Sequence, residues 1–297
     1  MKNIYKIVFL FIIFILFLQS GCKDFGATWT IPTPPPTYIS IDDAPAWDPQ
    51  GDRIAFFHMG FNDTLYPTGL YTLDTSGQNL KLIIEGFTYS PCWSPNGEIL
   101  AFTNDELYLI SSTGNDLQQL TTVGLTNFPS WSPSGDKIVF DTPYNDPRGS
   151  NAIWMINIDG TGLQDISQHG TGEWRCPDWS PEGNWILYYK YIGIGTPELF
   201  KMDTSGNNST RLTYNNYFDL FPEWSPDGKK IAWTSGKNID EIWLMDSDSR
   251  NQMKITTGNQ PSWSPDSKRL VFSKESGNKI SLFIIELESG KIYQLTY

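Results

Sequence analysis

The sequence predicts an all-β protein, a six-bladed β-propeller of four-stranded antiparallel blades. Three observations carry that expectation. A Pro-x-Trp-x-Pro motif occurs six times, with spacings of 46, 38, 48, 45 and 39 residues between the Trp positions. Each copy precedes short runs of β-branched and aromatic residues bounded by Gly, Pro, Asn and Asp, the composition of strands and tight turns. After residue 22, no stretch offers ten or more residues of helical period. Four strands in a repeat of this length is the period of a propeller blade.

Composition sets the bounds. The chain has 297 residues, 39% hydrophobic and 14% aromatic, enough for a sizeable core. With 33 acids against 21 Lys plus Arg, the formal charge is −12. Such a balance excludes non-specific nucleic-acid binding and docking on anionic lipid through a basic patch. Three Cys exclude a disulfide scaffold, and two His limit metal and acid–base chemistry.

At the N-terminus, Lys2 and Lys6 precede an apolar run from Ile7 to Leu18. That run suits a signal sequence and falls short of the roughly 20 residues that span a bilayer. Leu18-Gln19-Ser20-Gly21-Cys22 resembles the bacterial lipoprotein signal. The resemblance implies removal of residues 1–21, lipidation of Cys22, and a membrane attachment through that lipid. A plain secretory signal and a retained anchor helix are the alternatives. Removing residues 1–21 takes away two Lys and no acid, which deepens the negative charge. Residues 22–44 then read as a tether, because Pro32, Pro34, Pro35 and Pro36 favour extended geometry. An edge strand within Thr28–Ile31 or Tyr38–Ile41 stays open.

The repeat occupies residues 45–297. Its motif runs Pro45-Ala46-Trp47-Asp48-Pro49, and recurs around Trp93, Trp131, Trp179, Trp224 and Trp263. A Gly two residues after the second Pro, replaced by Ser267 in the last copy, fits a tight hairpin. Nine residues after each Trp stands an aromatic: Phe56, Phe102, Phe140, Tyr188, Trp233 and Phe272. An aliphatic–aromatic pair, such as Leu107-Tyr108 or Ile242-Trp243, marks the third strand. The unit ends on an apolar residue and usually a hydroxyl, as in Leu120-Thr121 and Leu295-Thr296. These aromatics belong in the wedge between blades. Packing of the sixth unit on the first closes the ring, with residues 37–41 as an optional added strand.

The motif, most complete at Trp224–Gly228, resembles the propeller blades of the TolB family over about residues 45–297. The resemblance implies a periplasmic or envelope setting and a protein partner, since TolB docks an envelope lipoprotein. The family's N-terminal α/β domain has no counterpart in the Pro-rich segment. Similar blades precede the hydrolase domain of prolyl-oligopeptidase-like peptidases, but no Gly-x-Ser-x-Gly elbow occurs here. Oligogalacturonate lyases carry related blades with a His-rich metal site, which two His hardly supply.

Chemistry-bearing residues are few. His58 and His169 lack metal-site spacing and read as surface residues. Cys92 and Cys176 fall in units that are not neighbours in the ring, and read as buried free thiols. Turns at Asp159–Gly162 and Asp246–Ser249 lack the full acidic set of a Ca²⁺ loop. No catalytic residue, metal or cofactor is expected. Any site belongs on the face carrying the long inserts Phe57–Thr68, Asp141–Asn151 and Tyr189–Glu198. Tyr144, Arg148, Trp174, Arg175, Tyr191, Tyr217 and Phe218 are its candidate binding residues, being of the types in which interfaces concentrate energy. The expectation is a monomeric, non-catalytic binding module in the bacterial cell envelope, engaging a protein or peptide at the ring mouth. An enzyme or carbohydrate-binding protein acting on an extracellular polysaccharide is the alternative.

Overall fold

A computed structural model describes residues 40–60, 65–145, 150–167, 173–192, 195–237 and 240–296. All its regular elements are strands. The first group is β1 (Ser40–Trp47), β2 (Arg53–Gly60), β3 (Gly69–Asp74) and β4 (Lys81–Glu85). Next come β5 (Tyr89–Trp93), β6 (Ile99–Asn104), β7 (Glu106–Ser111) and β8 (Gln118–Gln119). The third group is β9 (Asn127–Trp131), β10 (Lys137–Thr142), β11 (Ala152–Asn157) and β12 (Gln164–Asp165). The fourth is β13 (Trp174–Trp179), β14 (Trp185–Tyr191), β15 (Pro197–Asp203) and β16 (Thr210–Arg211). The fifth is β17 (Leu220–Trp224), β18 (Lys230–Ser235), β19 (Glu241–Asp246) and β20 (Met253–Thr257). The last is β21 (Asn259–Trp263), β22 (Arg269–Ser276), β23 (Lys279–Glu286) and β24 (Ile292–Gln294).

The fold is an all-β propeller of four-stranded antiparallel blades. Four groups stand as separate four-stranded sheets, from β5–β8 through β17–β20. The remaining eight strands form one sheet, in which the antiparallel meanders of the first and last groups are joined. The joint is a short parallel pairing of β1 with β23, Ser40 opposite Lys279 and Ile41 opposite Ile280. Ile41 is buried there with Ile280, and Met59 packs beside them. The strand that the sequence left open is therefore real at its C-terminal end. It also corrects the tether boundary: β1 begins at Ser40, ahead of Pro45. Residues 1–39, with the expected signal and Cys22, lie outside the described residues. Among the described residues, no helix is long and apolar enough to cross a membrane.

The repeated motif builds one turn again and again. In the fifth unit the Ser225 hydroxyl accepts the Lys230 N–H at 2.9 Å and donates to Asp227 at 2.7 Å. Gly228, at a φ of 70°, donates to the Ser225 carbonyl at 2.8 Å and suits a left-handed position that a side chain would strain. The closing hydroxyl of a unit has an equally local task. Thr121, Ser167, Thr213 and Thr296 each accept the N–H of a third-strand residue, namely Leu107, Ile153, Leu199 and Leu282. Each extends the ladder beyond the short outer strand, so these four backbone N–H groups are paired.

The core lies between the sheets. Phe56, Phe102, Phe140, Tyr188, Trp233 and Phe272, the residues nine after each motif Trp, are all at most 2% exposed. Burying such a side chain contributes on the order of 2 kcal/mol or more, and the wedge between twisted sheets is wide enough to need rings.

Candidate functional site

The inner strands β1, β5, β9, β13, β17 and β21 carry the motif to the middle of the molecule. Before each motif Pro stands a non-glycine residue with positive φ: Ala44, Ser90, Phe128, Cys176, Phe221 and Gln260, all between 49° and 51°. The register shifts at the same place in every inner strand, which marks a β-bulge. These residues, their Pro neighbours and the residues after them line one central channel of about 180 Å³.

A belt of hydrogen bonds ties the inner strands together. The Ser130 hydroxyl accepts the Trp179 N–H at 3.1 Å and donates to Asp178 at 3.1 Å. Asp178 in turn accepts the Trp224 N–H at 2.7 Å. Glu223 accepts the Trp263 N–H at 3.1 Å and the Ser262 hydroxyl at 3.2 Å. Ser262 accepts the Trp47 N–H at 3.3 Å, which carries the belt across the seam. Enclosure in the channel wall pushes the Asp178 and Glu223 carboxyls well above the ordinary range. The charge of Asp178 pushes Glu223 further the same way.

Aromatic rings gather where the chain enters these strands. Phe87 stacks on Tyr89 at 6.3 Å, and Tyr89 meets Phe57 at 5.0 Å. Phe128 and Phe221 touch at 5.5 Å although their strands belong to different sheets, and Tyr189 and Tyr191 continue the cluster. Phe87 is 53% and Tyr217 39% exposed. Beneath them sits a charged group. Arg175 donates to Glu173 at 3.3 Å, and Asp141 accepts the Cys176 N–H at 2.9 Å. Burial pushes the Asp141 carboxyl up to about 7 against the pull of Arg175.

The sequence candidates separate on this surface. Tyr217 is exposed, while Tyr191 and Phe218 are half-buried against the same apolar cluster. Tyr144 is half-buried with its ring against Trp154 at 5.2 Å. Two expectations need correction. Trp174 is buried as the first residue of β13, stacked on Tyr188 at 4.8 Å under the Lys190 ammonium. Arg175 is buried too, its charge met within the protein. Arg148 and His169 lie outside the described residues. His58 is not a surface residue: it is buried, with Nδ1 2.6 Å from Asp42. Cys92 and Cys176 are free thiols, and burial pushes both upward. Among the described residues, no group of three or more His, Cys, Asp or Glu is placed to hold a metal ion. Phe87, Tyr89, Phe128 and Phe221 were missed. The signal for the last two was the position before the motif Pro, which varies from Ala to Phe while its neighbours repeat.

Fold and channel thus define a β-propeller whose inner strands share one repeated bulge. Residues 38–191 and 122–297 match the profile of the TolB beta propeller domain, and the chain belongs to that family. It is 26% identical over 261 residues to the uncharacterized protein Atu1656 of Agrobacterium fabrum, covering 77% of this chain and 83% of the relative. The uncharacterized peptidase YuxL of Bacillus subtilis is 28% identical over 148 residues, covering 48% of this chain. The match spans 21% of the peptidase's own length. The crystal structure of TolB from Acinetobacter baumannii superposes with a TM-score of 0.70 at 22% identity, over 81% of this chain and 62% of that one.

Proposed function

We propose that this chain is a non-catalytic binding module of the bacterial cell envelope that engages a protein or peptide partner at the channel mouth. The ring is read as six-bladed, with the eight-stranded sheet counted as a first and a last blade around the shared channel. The observation that carries the functional reading is the partly exposed aromatic rim of Phe87, Tyr89, Tyr191 and Tyr217. Rigid aromatic side chains on a fixed scaffold give contact area at low entropic cost. Envelope placement rests on the leader sequence and Cys22, and supports lipid anchoring. The peptidase relative favours an enzyme as the second reading. Against it, Glu173 and Arg175 near the mouth pair with each other, and Asp141 holds a backbone N–H.

Affinity capture from solubilised envelope tests the proposal. The wild-type chain should retain a protein partner, and Phe87→Ala should weaken retention about tenfold with little loss of stability, as an exposed site allows. Saturable glycan binding with no protein recovered would sink the reading. Cys22→Ala should release the protein from the membrane fraction; unchanged processing and attachment would remove the lipid anchor.

A further inference from the structure

A second cavity, of about 240 Å³, lies away from the channel at the seam between the first and last groups of strands. Ser40 and Lys279, partners in the parallel joint, line it together with Asp42, His58 and Thr296. Tyr66, Tyr71 and Leu80 supply apolar and aromatic wall. The His58 and Asp42 side chains are both buried, each 11% exposed. Asp42 accepts from Nδ1 at 2.6 Å, which holds the proton on that nitrogen. Nε2 is buried and has no hydrogen-bond partner among the described residues. A buried polar atom left unpaired is rare and costly, and points to a missing partner. In the neutral ring with Nδ1 protonated, Nε2 is an acceptor, so that partner is a donor.

The rest of the wall narrows the chemistry. One carboxylate and one ammonium leave no net charge to select an anion or a cation. Ser40 and Thr296 offer hydroxyls, and Tyr66 and Leu80 offer partly exposed apolar surface. The volume falls below the usual range for drug-sized ligands, which suits one small ring and not a polymer. We propose that this cavity binds a small neutral polyol of the size of one sugar ring, with a ligand hydroxyl donating to His58 Nε2.

Side-chain ¹H–¹⁵N spectra of the full chain provide the test, with D-glucose, D-galactose and N-acetyl-D-glucosamine as probes. Acetate and tetramethylammonium serve as anion and cation controls. A ligand this small should bind with Kd on the order of millimolar, seen as a saturable shift of the His58 Nε2 resonance. Leu80→Trp, placed at a 44% exposed position of the wall, should weaken it at least ~10-fold without touching the dyad. The proposal is overturned if no sugar saturates the site up to ~100 mM, if acetate or tetramethylammonium saturates it instead, or if Leu80→Trp binds as wild type. None of these outcomes bears on the channel mouth, so the two readings fail separately.

Discussion

Replacing Glu223 with Gln should flatten the fall of stability with rising pH. Glu223 sits in the channel belt with Asp178 as its acidic neighbour, and burial followed by that neighbour's charge raises its carboxyl far above the ordinary value. The folded chain therefore keeps a proton that the unfolded chain gives up above about pH 4.3. The stability this confers is complete below that pH and drains as pH rises toward the raised folded value. One proton of difference is worth about 1.4 kcal/mol per pH unit, or about 2.7 kcal/mol between about pH 5 and about pH 7. Gln keeps an oxygen to accept the Trp263 N–H and the Ser262 hydroxyl, so the belt survives while the titration disappears. Asp178, whose own carboxyl burial raises to about 7, drains stability in the same direction and continues to do so in the variant. Urea unfolding of both proteins across this range reads the effect. The wild-type and Glu223→Gln curves should lie close at the acid end and separate by at least about 1 kcal/mol per pH unit above it. Parallel curves would show that Glu223 is ionised in the folded state and refute the reasoning.

Two further changes follow from the ladder and the seam. Thr213→Val removes the acceptor of the buried Leu199 N–H at 3.0 Å; it should cost about 1–3 kcal/mol in denaturant unfolding, and Thr213→Ser should restore most of it. Ile41→Ala, at 2% exposure beside Ile280, should cost about 2–4 kcal/mol. Faster amide exchange in β1 and β23 than in β9 and β10 would accompany it if that joint closes the ring, whereas uniform acceleration would count against a local seam.

The strand pattern was open to sequence reading because each unit repeats its own local chemistry. Ser225, Asp227 and Gly228 satisfy one another within a few residues, so their spacing announces the turn before any packing is known. The buried aromatics nine residues after each Trp follow for the same reason, being tied to the phase of one strand. The site was less legible. Trp174 and Arg175 precede the motif Pro177, where the sequence marks no strand boundary, and they are buried at the start of β13. Phe87 carries no motif of its own, and Phe221 is marked only by its place before the motif Pro222.

From the sequence alone came the repeat, the strand order within a unit, the turn chemistry and the scarcity of ligating side chains. All of these depend on neighbours close along the chain. Tertiary structure decided what lies opposite what: Phe128 against Phe221, Asp178 beside Glu223, Ser40 across from Lys279, His58 on Asp42. These pairs join residues from 16 positions apart, as for His58 and Asp42, to opposite ends of the chain. His58 meets Asp42 through the register of β1 on β2, whereas the other three contacts exist only once the sheets have packed around the channel and the first strand has met the last, and no spacing rule reaches across that distance.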